Sequence, residues 1–160
     1  MTLEVRQPGV SELTAARQPT APPRTEDGTR RAPPRRVTPP GMTRRLPTVL
    51  IVDPDPESRA AARAVLETAG LDPLPLGGAA DALLVARYLR GPLDLILVEG
   101  RLGSTSGLDL ARMLMEDRPE ARVLVMGGPE PERGWAWMDK PFTPDELVAA
   151  VEAVLSKPRV

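Results

Sequence analysis

From Thr48 onward, short apolar runs alternate with stretches of helical period. Val49-Leu50-Ile51-Val52, Leu93-Asp94-Leu95-Ile96-Leu97-Val98 and Val123-Leu124-Val125-Met126 are aliphatic almost throughout, the pattern of central parallel strands covered on both faces. Leu74 to Leu76, broken by Pro75, reads as a weaker strand near a sheet edge, and Trp135 to Asp139 as a fifth strand. Between these runs, residues 57–69, 79–90, 108–117 and 143–155 carry amphipathic helical spacing. Gly70, Gly91-Pro92 and Pro119 stop the first three helices, while Thr143-Pro144-Asp145-Glu146 supplies a hydroxyl cap, a proline and first-turn acids to the last. Such alternation predicts an α/β domain, a doubly wound parallel five-stranded sheet with helices on both faces. Its functional crevice lies beyond the carboxyl ends of the strands.

One connection is too short for that plan. Only Gly127 to Gly134, eight residues with Pro129 and Pro131 among them, join the fourth strand to the fifth. A parallel crossover containing a helix needs about a dozen. The fourth crossover helix is therefore expected to be missing, which would uncover the sheet near strands four and five. Trp135 and Trp137 stand two apart there and share a face. They either fill the vacated volume or form a surface for a partner or a homodimer.

Composition divides the chain. Residues 1–47 hold nine arginines, no lysine and four acids, a balance of +5, and nine of the 20 prolines. The other 113 residues carry 12 basic and 18 acidic groups, or −6. Stretches such as Arg30-Arg31-Ala32-Pro33-Pro34-Arg35-Arg36 bury too little apolar surface to offset the entropy of ordering them. We expect a disordered basic Pro/Arg-rich arm over residues 1–46 and a folded domain over 47–157. Paired arginines on such an arm could bind nucleic acid, anionic lipid or an acidic protein surface. No apolar run of the kind found in a targeting signal or a membrane span is present. The sequence has no histidine and no cysteine. That excludes Ser-His-Asp and Cys-His catalysis, disulfides and zinc fingers, and fits a cytoplasmic protein that is not an enzyme.

Carboxylates remain, and the predicted topology collects them. The first strand ends at Asp53-Pro54-Asp55, the third at Glu99, the fourth at Gly127-Gly128 and the fifth at Lys140-Pro141. Val49-Leu50-Ile51-Val52-Asp53 with Ser58-Arg59, then Asp94-Leu95-Ile96-Leu97-Val98-Glu99 with Gly107-Leu108, then Lys140-Pro141-Phe142, in this order and spacing, resemble a receiver domain over roughly residues 48–156. Receiver domains are the CheY-like, flavodoxin-fold switches of response regulators in bacterial two-component systems. The resemblance implies a phosphoacceptor aspartate after the third strand and paired acids for Mg²⁺ after the first. It also implies a Ser or Thr after the fourth strand, a Lys after the fifth, and a cis bond at Lys140-Pro141.

This chain keeps Asp53 and Lys140 of that set and departs elsewhere. The second acid position is Pro54, with Asp55 one residue beyond it; the phosphoacceptor position is Glu99; the hydroxyl position is Gly127. An added methylene advances a carboxylate by roughly 1 Å, enough to cost on the order of 10²-fold where in-line geometry is required. Asp53 and Glu99 would form at best a weak Mg²⁺ site. Glu99 is expected to reach Lys140 directly. The reading is a degenerate pseudo-receiver, a phosphorylation-independent protein-interaction module in phosphorelay signalling. Alternatives are a working phosphoacceptor served by a histidine kinase, or a small anion- or nucleotide-binding protein using Gly103-Ser104-Thr105-Ser106-Gly107 at a helix start. A nucleic-acid-associated protein acting through the arm is a further one. The plainer reading of the glycine-flanked loop is a turn with Ser106 as helix cap.

Overall fold

The computed structural model describes residues 44–131 and 134–158. The basic arm expected over residues 1–46 therefore lies outside the described residues except for Arg44, Arg45 and Leu46. Five strands, β1 (Thr48–Val52), β2 (Asp72–Leu76), β3 (Leu95–Glu99), β6 (Arg122–Met126) and β7 (Ala136–Met138), form one parallel sheet in the order β2-β1-β3-β6-β7. Two further strands, β4 (Arg101–Leu102) and β5 (Thr105–Ser106), make a small antiparallel hairpin beyond β3.

Four helices cover the sheet: α1 (Pro56–Thr68), α2 (Ala79–Tyr88), α3 (Gly107–Asp117) and α4 (Pro144–Ser156). Alternate residues of each strand feed opposite faces. Leu50, Val52, Ile96, Val98, Val123 and Val125 pack with Ala82 and Ala86 of α2 and Leu110 and Leu114 of α3. Val49, Ile51, Leu95, Leu97, Leu124 and Met126 pack with Ala62 and Leu66 of α1 and Leu147, Val151 and Val154 of α4. This double burial is why the strands read as apolar runs.

Local chemistry fixes the helix starts. Asp55 caps α1, with Pro56 as its first residue, and Thr143 caps α4 in a reciprocal capping box with Glu146. The predicted Trp135–Asp139 strand is shorter than read, three residues, and β2 is longer, starting at Asp72. Its prolines are compatible with the sheet because β2 is an edge. The Asp72 N–H donates inward to the Pro47 carbonyl at 2.9 Å, so Pro73 and Pro75 turn their missing N–H groups outward. That edge is left short of donors for a further strand. Between β6 and β7 no helix occurs among the described residues, so the sheet carries four helices instead of five.

An ion pair ties the chain to the domain at its entry. Arg45 donates through two nitrogens to the Asp94 carboxylate, at 2.6 and 3.0 Å, and the same carboxylate accepts the Thr48 N–H at 2.8 Å. Hydrogen bonding to Asp94 holds the Arg45 guanidinium above its ordinary pKa against a smaller effect of burial. Arg45, expected within the arm, is thus anchored at the foot of β1. No described helix is long and apolar enough to cross a membrane.

Candidate functional site

Three strand ends and the first turn of α1 meet at the carboxyl edge of the sheet. Asp53 follows β1 and is 1% exposed; Glu99 closes β3; Lys140 follows β7. The Lys140 ammonium contacts the Glu99 carboxylate directly and lies 3.0 Å from Asp53 Oδ2. Ser58 Oγ donates to that same Asp53 oxygen at 2.6 Å and accepts from Lys140 Nζ at 3.3 Å. The other Asp53 oxygen accepts the Asp55 N–H at 2.9 Å, and the Asp53 carbonyl accepts Arg59 Nη1 at 2.6 Å. Both Asp53 carboxylate oxygens and its carbonyl oxygen thus accept hydrogen bonds.

The titration of the cluster follows from this geometry. Burial pushes the Asp53 carboxyl up, but the Ser58 hydroxyl, the Lys140 ammonium and the Asp55 amide outweigh it and hold the group below its ordinary value. Burial likewise pushes Lys140 down, and Glu99 and Asp53 together carry it above its ordinary value. At neutral pH Asp53 is therefore a carboxylate and Lys140 an ammonium.

The acid group expected over Asp53, Asp55 and Glu99 is divided. The Asp55 carboxylate does not join the ion cluster; it accepts the Glu57 and Ser58 N–H groups at 3.2 and 3.4 Å as the cap of α1. A helix start leaves N–H groups without partners, and the nearest carboxylate satisfies them. Nor does the donor set fit Mg²⁺. That ion requires near-octahedral oxygen ligation, yet a lysine ammonium sits between Asp53 and Glu99, and position 54 is a proline. Among the described residues no group of three acidic side chains could hold a metal.

Gly127 follows β6 in the left-handed region, φ 61°; its N–H donates to the Met138 carbonyl at 2.8 Å. Its own carbonyl accepts Trp137 Nε1 at 3.2 Å. Trp135 and Trp137 both pack, partly buried, on the α2–α3 core, and the Arg112 guanidinium lies 5.9 Å from the Trp135 ring centre. Neither is among the large exposed apolar side chains of the described residues, which are Leu46, Leu84, Tyr88 and Met113. The Lys140-Pro141 bond is cis. In the glycine-flanked loop, Thr105 and Ser106 pair with Leu102 and Arg101, and Ser106 Oγ accepts the Asp109 N–H at 3.4 Å as the cap of α3.

Ser58 and Arg59 carry more of the site than the sequence discloses. Ser58 shares a helix stripe with the buried Ala62 and Leu66, so a polar residue there was the available signal of a buried partner. Beside the cluster, a cleft of about 550 Å³ between α1 and the start of α4 is lined by Ser58, Ala62, Val65, Lys140, Phe142 and Leu147, among others.

No protein-family model matches the chain. It is 32% identical over 117 residues to the DNA-binding response regulator MtrA of Mycolicibacterium smegmatis, covering 68% of this chain and 50% of MtrA. With the phosphate regulon transcriptional regulatory protein PhoB of Pseudomonas aeruginosa it shares 34% identity over 123 residues, 69% of this chain and 52% of PhoB. The chain thus spans about half the length of the curated relatives it matches. Among solved structures, a CheY-like response regulator receiver domain protein from Methanospirillum hungatei superposes with a TM-score of 0.63 at 22% identity, covering 69% of this chain and 94% of that one. A response regulator from Thermotoga maritima gives 0.61 at 24%, covering 71% and 100%. Sequence relatives and shared fold agree: this is a response regulator receiver domain of the CheY-like kind.

Proposed function

We propose that this receiver domain works without phosphorylation, as a protein-interaction module of a two-component signalling system. One observation carries the reading: the Lys140 ammonium is shared between Glu99 and Asp53. A phosphoryl group arriving at Glu99 would have to break that contact, and a metal that could offset the added charge would meet an Asp53 carboxylate whose two oxygens already accept hydrogen bonds. Glu99 stands at the phosphoacceptor position but is occupied as an ion-pair partner. The domain is then a binding module of one shape, cytoplasmic in setting, and not an enzyme. Its partner is a signalling protein, met at the α1–α4 cleft beside Lys140.

The test is chemical. The full chain is incubated with acetyl phosphate and Mg²⁺ and its intact mass recorded. The reading predicts an unchanged mass. A labile phosphoryl adduct that disappears in Glu99→Ala would establish the working phosphoacceptor instead.

A further inference from the structure

The Glu99 carboxylate has a second neighbour besides Lys140, and it is an empty space. A Cβ built on Gly127 would lie 3.1 Å from Glu99 Oε1 and 3.6 Å from both Cγ and Cδ of Lys140. The first distance is shorter than ordinary van der Waals contact; the other two are ordinary contacts. Any side chain at position 127 would therefore press on a carboxylate that is held by the Lys140 ammonium and is itself largely buried.

The backbone cannot yield to make room. Gly100, next to Glu99, packs on the same loop: its own Cβ would stand 2.5 Å from the Gly127 carbonyl oxygen and 3.0 Å from Gly128 Cα. The Gly100 N–H is bonded to the Met126 carbonyl at 2.8 Å, and the Gly127 N–H to the Met138 carbonyl at 2.8 Å. The segments after β3 and β6 are thus in backbone contact, and the group nearest to a side chain at 127 is the Glu99 carboxylate, with the Lys140 stem next to it.

We propose that Gly127 is a positioning residue for the ion cluster: the side chain it lacks leaves the volume that the longer Glu99 carboxylate fills, so residues 99 and 127 are matched in size. The longer acid and the missing side chain are then one adaptation and not two losses. A side chain at 127 pushes the Glu99 carboxylate off its place beside Lys140 by a few tenths of an ångström unless residue 99 is shortened as well. This inference concerns the same cluster as the proposed function but stands on packing, and it holds whichever way the phosphodonor experiment falls.

The matching is tested by a double-mutant cycle. Gly127→Ala is made in the full chain with Glu99 and in the Glu99→Asp background, and unfolding by urea is measured for all four proteins. The left-handed backbone penalises alanine equally in both backgrounds, so it cancels. The loss in the folding equilibrium constant is expected to be at least about threefold larger with Glu99 than with Asp at 99. Equal losses would overturn the proposal. A second reading separates positioning from general destabilisation: the acetylation rate of the Lys140 amine by acetic anhydride, read by peptide mass while each protein is fully folded. Gly127→Ala should raise that rate severalfold when residue 99 is Glu and leave it unchanged when residue 99 is Asp. A rate unaffected in the Glu99 protein would also contradict it.

Discussion

Lys140 Nζ lies 3.0 Å from Asp53 Oδ2, joining the loop after the last strand to the end of the first. With Glu99 on its other side, the lysine ammonium faces two carboxylates. Removing it leaves those charges facing each other in a largely dehydrated site. Lys140→Met should lower stability by about 3 kcal/mol, the scale for breaking one side of a buried pair. Urea unfolding measures this, and a loss below about 1 kcal/mol would mean that the cluster contributes little.

Ser58 should matter nearly as much. Its hydroxyl donates to an ionised carboxylate at 2.6 Å, a charge-assisted bond. Ser58→Ala is expected to cost about 2 kcal/mol by the same measurement. An unchanged midpoint would show that water replaces the hydroxyl without loss.

The sheet was legible from the sequence because burial on both faces leaves unbroken aliphatic runs, as at Val49–Val52 and Val123–Met126. The missing helix between β6 and β7 could be read from length alone. Strand limits were not legible, since Pro73 is acceptable in β2 only where the neighbouring strand is absent. At the site, Asp53, Glu99 and Lys140 could be placed together because strand ends converge. The choice of Asp55 as a helix cap depends on which way its carboxylate turns, and that no spacing records. Ser58 joins the site through a hydrogen bond that crosses from α1 to β1, invisible to a periodicity argument.

Acid should weaken the cluster through Asp53. Its carboxyl is held below its ordinary value of 3.8, so its stabilisation is complete above about pH 4 and is lost as pH falls through the lower folded value. Lys140, held above 10.5, contributes fully below that pH and loses its contribution as pH rises through the higher folded value. Asp53→Asn should therefore be clearly less stable than the native chain at pH 7, with the gap narrowing toward about pH 2. Urea midpoints at the two pH values check this; a gap that widens in acid would contradict it.

Trp137 combines packing with one hydrogen bond to the Gly127 carbonyl. Trp137→Phe keeps most of the ring volume and should cost about 1 kcal/mol, whereas Trp137→Ala should cost about 3 kcal/mol. Similar small losses for both would show that the indole does not fill core volume and would favour the partner surface.

In the receiver site Lys140 bridges Glu99 and Asp53 in a single arrangement. Backbone amide and indole NMR signals of the full chain, recorded before and after addition of acetyl phosphate and Mg²⁺, test it most directly. Superimposable spectra are expected at Glu99, Gly127 and Trp137. Shifts at those three residues that disappear in Glu99→Ala would contradict it.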